Sequence, residues 1–132
     1  MVDPVLAGFI AAYEAKPWQP GRVDCCLALA AWAIWLGHSD PAEHMRGTYD
    51  SEDGYRAIFK QYGGVVPFVA SCAAKISAKS IQSPQSGDIG VIGSPTTWER
   101  QFGAIFDGER WRVRFINGYG AMIAPPLAIW RI

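Results

Sequence analysis

The residues with the types and spacing to do chemistry begin at Asp24, where Asp-Cys-Cys opens the run "DCCLALAAWAIWLG". A thiol in the first turn of a helix lies at the positive end of the macrodipole, which favours the thiolate and makes it a nucleophile. Cys25 is the candidate for that role. Hydrolysis through it needs an imidazole to take the proton and return it to the leaving group, with backbone N–H groups as an oxyanion hole. The chain has two histidines, His38 and His44, both in the loop after the run. A helix rising ~1.5 Å per residue carries His38 roughly 18–20 Å from Cys25, too far for a partner, while His44 is unconstrained. The competing reading makes Asp24 an N-cap worth about 0.5–2 kcal/mol and Cys25 a small apolar residue of a core helix. Cys26 and Cys72 read as core packing. The cysteines and histidines make no zinc spacing, so no metal and no cofactor are expected.

Two stretches of different periodicity, meeting near Ser77, must position these side chains. In "PVLAGFIAAYEA", Leu6, Phe9, Ile10 and Tyr13 recur at helical spacing. Pro17 and Pro20 force a turn before Asp24. The run that follows is apolar on every side, which predicts a central helix, ended by Gly37. "SDPAEHMRG" predicts a short helical turn with Pro41 at its first position. "SEDGYRAIFKQYGG" predicts a helix with Tyr55, Ile58, Phe59 and Tyr62 on one side and Gly63 as its stop. "VPFVASCAAKI" predicts a last short helix. From "SPQSGDIGVIG" onward, short apolar runs bounded by Gly, Pro, Asn or Asp predict strands, the last of them "LAIWRI". Asp107-Gly108 is a hairpin signal, and Arg112 and Arg114 read as the alternating polar positions of a strand. Helices first and strands afterwards predict one α+β domain over 1–132, with a helical half over 1–76 and an antiparallel β half over 77–132.

At 132 residues the chain is long enough to bury a core without staples. A formal net charge of zero without a basic run argues against a nucleic-acid partner. Asp3 and Glu14 interrupt the N-terminal stretch where a targeting signal would be basic and then apolar. Cys25 to Leu36, the longest apolar run, is too short to span a bilayer, so a soluble protein is expected. Three cysteines without a C-x-x-C pair predict free thiols and a reducing compartment.

The pieces "VDCCLALAAW", "SGDIGVIG" and "QFGAIFDG", in that order, resemble the plan of the NlpC-type cell-wall peptidases, small papain-like cysteine hydrolases. The chain is more similar still to small phage-encoded proteins related to that fold. It shares with them, in order, Trp18, Gly21, Asp24, Cys25, Gly37, Arg46, Gly47, Tyr49, Gly63, Gly64, Gly87, Asp88, Trp130 and Arg131. The resemblance implies a papain-like α+β fold, helices packed on an antiparallel sheet or half-barrel, with Cys25 at the nucleophile position. It also puts Gln101 where the peptidases carry their histidine. Glutamine cannot accept and return a proton near neutral pH, and general-base catalysis is typically worth ~10²–10⁴-fold. Glu99 can project to the same face, but a carboxylate beside a thiolate raises the thiol's pKa. Asp88 corresponds to a structural residue of the peptidases.

Trp18, Trp98 and Trp130 are the candidate binding residues. Trp18 falls in the cleft expected around Cys25 and Gln101. Trp98, in "GSPTTWERQ", reads as an exposed loop anchor. Trp130 belongs to "LAIWRI", an apolar terminal strand that could offer its edge to another chain. Through the resemblance the expected function is a catalytically degenerate virion protein of a phage or prophage, made in the bacterial cytoplasm. It would dock at the tail tip on hub, distal-tail or central-fibre proteins. Two alternatives stand beside it: an active cysteine peptidase cutting peptidoglycan peptide bonds during genome entry, and a non-catalytic peptidoglycan-binding module.

Overall fold

A computed structural model describes residues 2–132. The first helix, α1 (Pro4–Glu14), starts where the Asp3 carboxylate accepts from the Val5 and Leu6 amides, and it buries Leu6, Phe9 and Tyr13. The core helix α2 (Leu27–Trp35) ends at Leu36, and Gly37 follows in the left-handed region at φ +101°. The His38 amide there donates to the Ala33 carbonyl, satisfying an end-of-helix acceptor. Only a 3-10 turn, Glu43–Met45, forms in the segment around Pro41. Ser51 caps α3 (Glu52–Tyr62) through the Gly54 amide, and Gly63 stops it. The next helix, α4 (Val65–Lys75), has 11 residues, as long as α1 and α3 rather than a short addition.

Six strands follow: β1 (Lys79–Ile81), β2 (Ile89–Gly93), β3 (Gln101–Phe106), β4 (Trp111–Phe115), β5 (Gly118–Met122) and β6 (Pro126–Arg131). They form one sheet in the order β1-β6-β2-β3-β4-β5, antiparallel throughout. The fold is therefore α+β, and the change of character near Ser77 falls between α4 and β1. No pattern signalled β1, a strand of 3 residues. Among the described residues, no helix is long and apolar enough to cross a membrane.

The strand order overturns one expectation. "LAIWRI" is not an edge: β6 pairs with β1 on one side and β2 on the other, and Trp130 is buried between them. Its apolar character reflects a central position in the sheet, so Trp130 is not open to a partner.

Residues directly opposite across a ladder share a face. Val91 opposite Gly103 and Ile105 opposite Arg112 put the face bearing Gln101, Gly103 and Ile105 together with Arg112 and Arg114. That face meets the helices, because a Cβ on Gly103 would lie 2.9 Å from the Cys25 carbonyl and 3.2 Å from the Cys26 Cα. The two arginines are thus not outward positions. Arg112 pairs with Asp107 at 2.6 Å, and Arg114 is only 2 % exposed. On the opposite face Trp111 reaches across β3 to lie on Gly90, where no side chain would fit. Asp88, before β2, accepts from the Gln85 amide and holds Arg131 at 2.8 Å, the structural role expected of it.

Candidate functional site

Asp24 organises the segment that leads into α2. Its buried carboxylate accepts from the Gly21 amide at 3.0 Å and the Leu27 amide at 2.9 Å, and Tyr49 donates its hydroxyl to the same group. α2 begins at Leu27 with Cys26 at its cap position, so Asp24 holds the turn that enters the helix and ties it to Tyr49, 25 positions on. Burial and the adjacent Asp24 charge push the Tyr49 phenol well above its ordinary pKa, so it stays a donor.

Cys25 follows, 7 % exposed, in a turn two residues before α2 rather than in the helix's first turn. Its thiol lies 4.0 Å from that of Cys26, and all three cysteines are free. Cys26 also lines a small apolar space shared with Leu29, Phe68 and Cys72. The contact with the Cys25 thiol, then burial, push the Cys26 thiol well above its usual range, and burial raises Cys72 likewise. Both are buried core residues.

Cys25 borders a cleft of about 280 Å³. Trp18, Tyr55, Phe102 and Phe115 give it apolar walls, Gln101 and Arg114 face it, and Glu52 and Glu99 stand among its lining residues. Strand alternation explains Gln101: two residues from Gly103, it shares the side that packs against Cys25. Its Nε2 donates to the Ser94 carbonyl at 2.8 Å, which holds the carboxamide in place. Arg114 donates to the Phe115 and Lys16 carbonyls, and its guanidinium lies 5.8 Å from the centre of the Trp18 ring. Burial, then the nearby thiols of Cys26 and Cys25, keep the Tyr55 phenol protonated.

Neither histidine lines this cleft. His44 Nδ1 accepts from the Lys75 ammonium at 3.0 Å, and burial followed by that charge lowers its pKa, so the ring is neutral there. His38 lies beyond the far end of α2. Among the described residues no group of metal-ligating side chains occurs. The site thus offers a thiol, a phenol, a fixed carboxamide and a guanidinium within apolar walls. That set can bind an extended polar chain, but its only carboxylates besides the capping Asp24 are Glu52 and Glu99, both exposed.

The structure brings Cys25, Gln101 and Trp18 together and leaves Trp98 and Trp130 out. Trp98 is not a free loop anchor. Its ring stacks over the fully buried Phe59 with 6.5 Å between centroids, and its Cβ would crowd any side chain at Gly64. Trp98→Ala is therefore expected to cost about 1–3 kcal/mol, below the range for a fully buried Trp because part of the ring is exposed. A urea midpoint unchanged by that substitution would contradict the packing role. Arg114 gave no signal in the sequence, since strand alternation does not say which face is inside. Tyr49 was among the residues shared with the phage proteins, but its bond to Asp24 spans 25 positions.

Fold and cleft define a class: an α+β domain with a cysteine in the turn before its core helix, apposed to the central strands of an antiparallel sheet. The chain belongs to the family described as Domain of unknown function (DUF6950), whose model matches residues 2–132. No curated protein and no solved structure matches the chain.

Proposed function

We propose that this protein is a catalytically silent member of the papain-like, NlpC-type fold that serves as a docking component at the tail tip of a phage or prophage virion. Its partners on this reading are hub, distal-tail or central-fibre proteins. The observation that carries it is the pairing of Cys25 with Gln101 across one cleft, with the carboxamide bonded to Ser94. A glutamine at the general-base position leaves the thiol without a proton shuttle at neutral pH. Neither His38 nor His44 lines the cleft, which supports the same reading.

The test is Cys25→Ser in the phage. Particles are expected to assemble and to infect at the parental level, with the protein retained at the tail tip in purified virions. A loss of genome entry of roughly 10²-fold or more from intact particles would mean chemistry and return the peptidase reading. Absence of the protein from purified virions would overturn the docking role itself.

Alkylation of Cys25 in a Cys26→Ser, Cys72→Ser background gives an independent check. Native protein is expected to label slowly until it unfolds, because the thiol is only 7 % exposed. Fast labelling of the native protein at neutral pH would mean a reactive thiolate and return the peptidase reading. The apolar walls around Trp18 and Tyr55 favour the peptidoglycan-binding module as a second reading, and co-sedimentation with purified sacculi separates it from the first.

A further inference from the structure

The run "LALAAWAIW" is apolar on every side, yet α2 is not buried on every side. Its last turn surfaces: Ile34, Trp35 and Leu36 are 44 %, 49 % and 40 % exposed, and Val5 on the neighbouring α1 is 53 % exposed. These are four of the seven large apolar side chains exposed among the described residues; Ile34 and Trp35 border one recess, and Val5 and Leu36 border another. Trp35 is held edge-on against Phe9 at 5.7 Å, so this surface is fixed by the core rather than frayed.

Beside Trp35 the two helices enclose a recess of about 260 Å³ floored by Phe9, Ala31, Ile34 and Trp35. Ala12 and Tyr13 complete its walls, and its charged lining residues are all basic. Lys16, Arg22 and Arg46 border it, and among the described residues no carboxylate does. Arg46 is paired with Asp40 at 2.6 Å, whereas Lys16 and Arg22 have no carboxylate partner among the described residues. In a chain of zero net charge this local positive excess is a property of the face and not of the whole molecule. The recess, like the Cys25 cleft, is smaller than the ~300–1,000 Å³ of typical small-molecule sites, which suits a side-chain anchor.

We infer that this face docks an acidic segment of a partner chain, which inserts an aliphatic or aromatic side chain beside Trp35 and sets its carboxylates against Lys16 and Arg22. Exposed Trp with a cationic rim is the composition of an interface centre, and the rim charges select the sign of the partner. The partner's place in a virion rests on the docking reading above. The chemistry of the face does not.

The experiment is a titration of the isotope-labelled protein with three synthetic peptides, followed by amide resonances. One is an amphipathic helix of glutamate and leucine, one its lysine-for-glutamate counterpart, and one its serine-for-leucine counterpart. The acidic peptide is expected to shift Arg22, Ile34 and Trp35, and to bind at least about tenfold more tightly than either control, a gap of about 1.4 kcal/mol. Roughly 0.5 M salt should weaken it several-fold. Arg22→Glu, an exposed change whose fold is checked by circular dichroism, should remove the preference, and Trp35→Ser should remove binding. No shifts, equal binding of the lysine peptide, or shifts confined to the Cys25 cleft would overturn the inference. Self-association of the protein alone that Arg22→Glu abolishes, seen by sedimentation, would assign the face to a second copy and overturn it too. Absence from virions leaves these titrations untouched. Failed titrations of a protein present in virions would move docking to another face.

Discussion

Asp24→Ala is expected to lower stability by about 3–5 kcal/mol, well beyond the loss of an ordinary helix cap. The carboxylate serves three buried donors, the Gly21 and Leu27 amides and the Tyr49 hydroxyl, and alanine leaves all three without an acceptor. Each buried donor stranded in this way costs about 1–3 kcal/mol, partly relieved by local relaxation. Against a typical stability of about 5–15 kcal/mol, that is a large share of what holds the native state. Urea denaturation should show the midpoint falling with an unchanged slope. Asp24→Asn keeps one acceptor oxygen but turns an amide N–H towards donors, so an intermediate loss is expected. A loss under about 1 kcal/mol for alanine would mean that the Tyr49 and Gly21 bonds contribute little and that Asp24 acts as a cap alone.

Gly21→Ala should be comparably damaging for a different reason. The residue sits at φ +85°, where a side chain is strained, and a Cβ would fall 1.8 Å from the Tyr49 carbonyl oxygen. Left-handed backbone costs a non-glycine residue about 1–2 kcal/mol, and overpacking against atoms that cannot rotate away typically adds about 1–3 kcal/mol. A total of about 2–5 kcal/mol is expected, read from the same denaturation curves. Because the Gly21 amide is itself a ligand of Asp24, the two substitutions act on one network, and the double variant should lose less than the sum of the singles. Full additivity would show that the loop and the cap are independent. Either variant is expected to disturb Cys25 as well, since the segment that carries it hangs from these bonds.

The helices were legible because their signals are local. Asp24 announced the entry to α2, Gly37 and Gly63 announced the ends of α2 and α3, and Leu6, Phe9 and Tyr13 recur at the helical period that the core of α1 requires. Four of the longer strands were visible in the same way, as apolar runs between turn residues; β5, Gly118–Met122, is glycine-rich and was not, nor was β1, having 3 residues with two of them exposed. Cys25 and Gln101 were paired in advance only by the resemblance to the peptidases, and the structure places both on one cleft.

What remained hidden depends on which element lies beside which. "LAIWRI" is apolar whether it closes a sheet or sits inside one, and only the order β1-β6-β2 decided that Trp130 is covered. Alternation told which residues of β4 share a side, but the register with β3 and the close approach of Gly103 to Cys25 decided that the side of Arg114 is the inner one. The apolar run of α2 predicted burial all round, and the packing of α1 against only part of it left Trp35 in the open. Trp98 looked free between polar neighbours until α3 brought Phe59 beneath it. By itself the sequence determined the elements, their caps and the residue types available for chemistry, because those follow from interactions within a few positions along the chain. The partners of Asp24, the closed edge at β6, the inward arginine and the open face of α2 were decided by tertiary structure, because each depends on contacts between segments that sequence distance does not order.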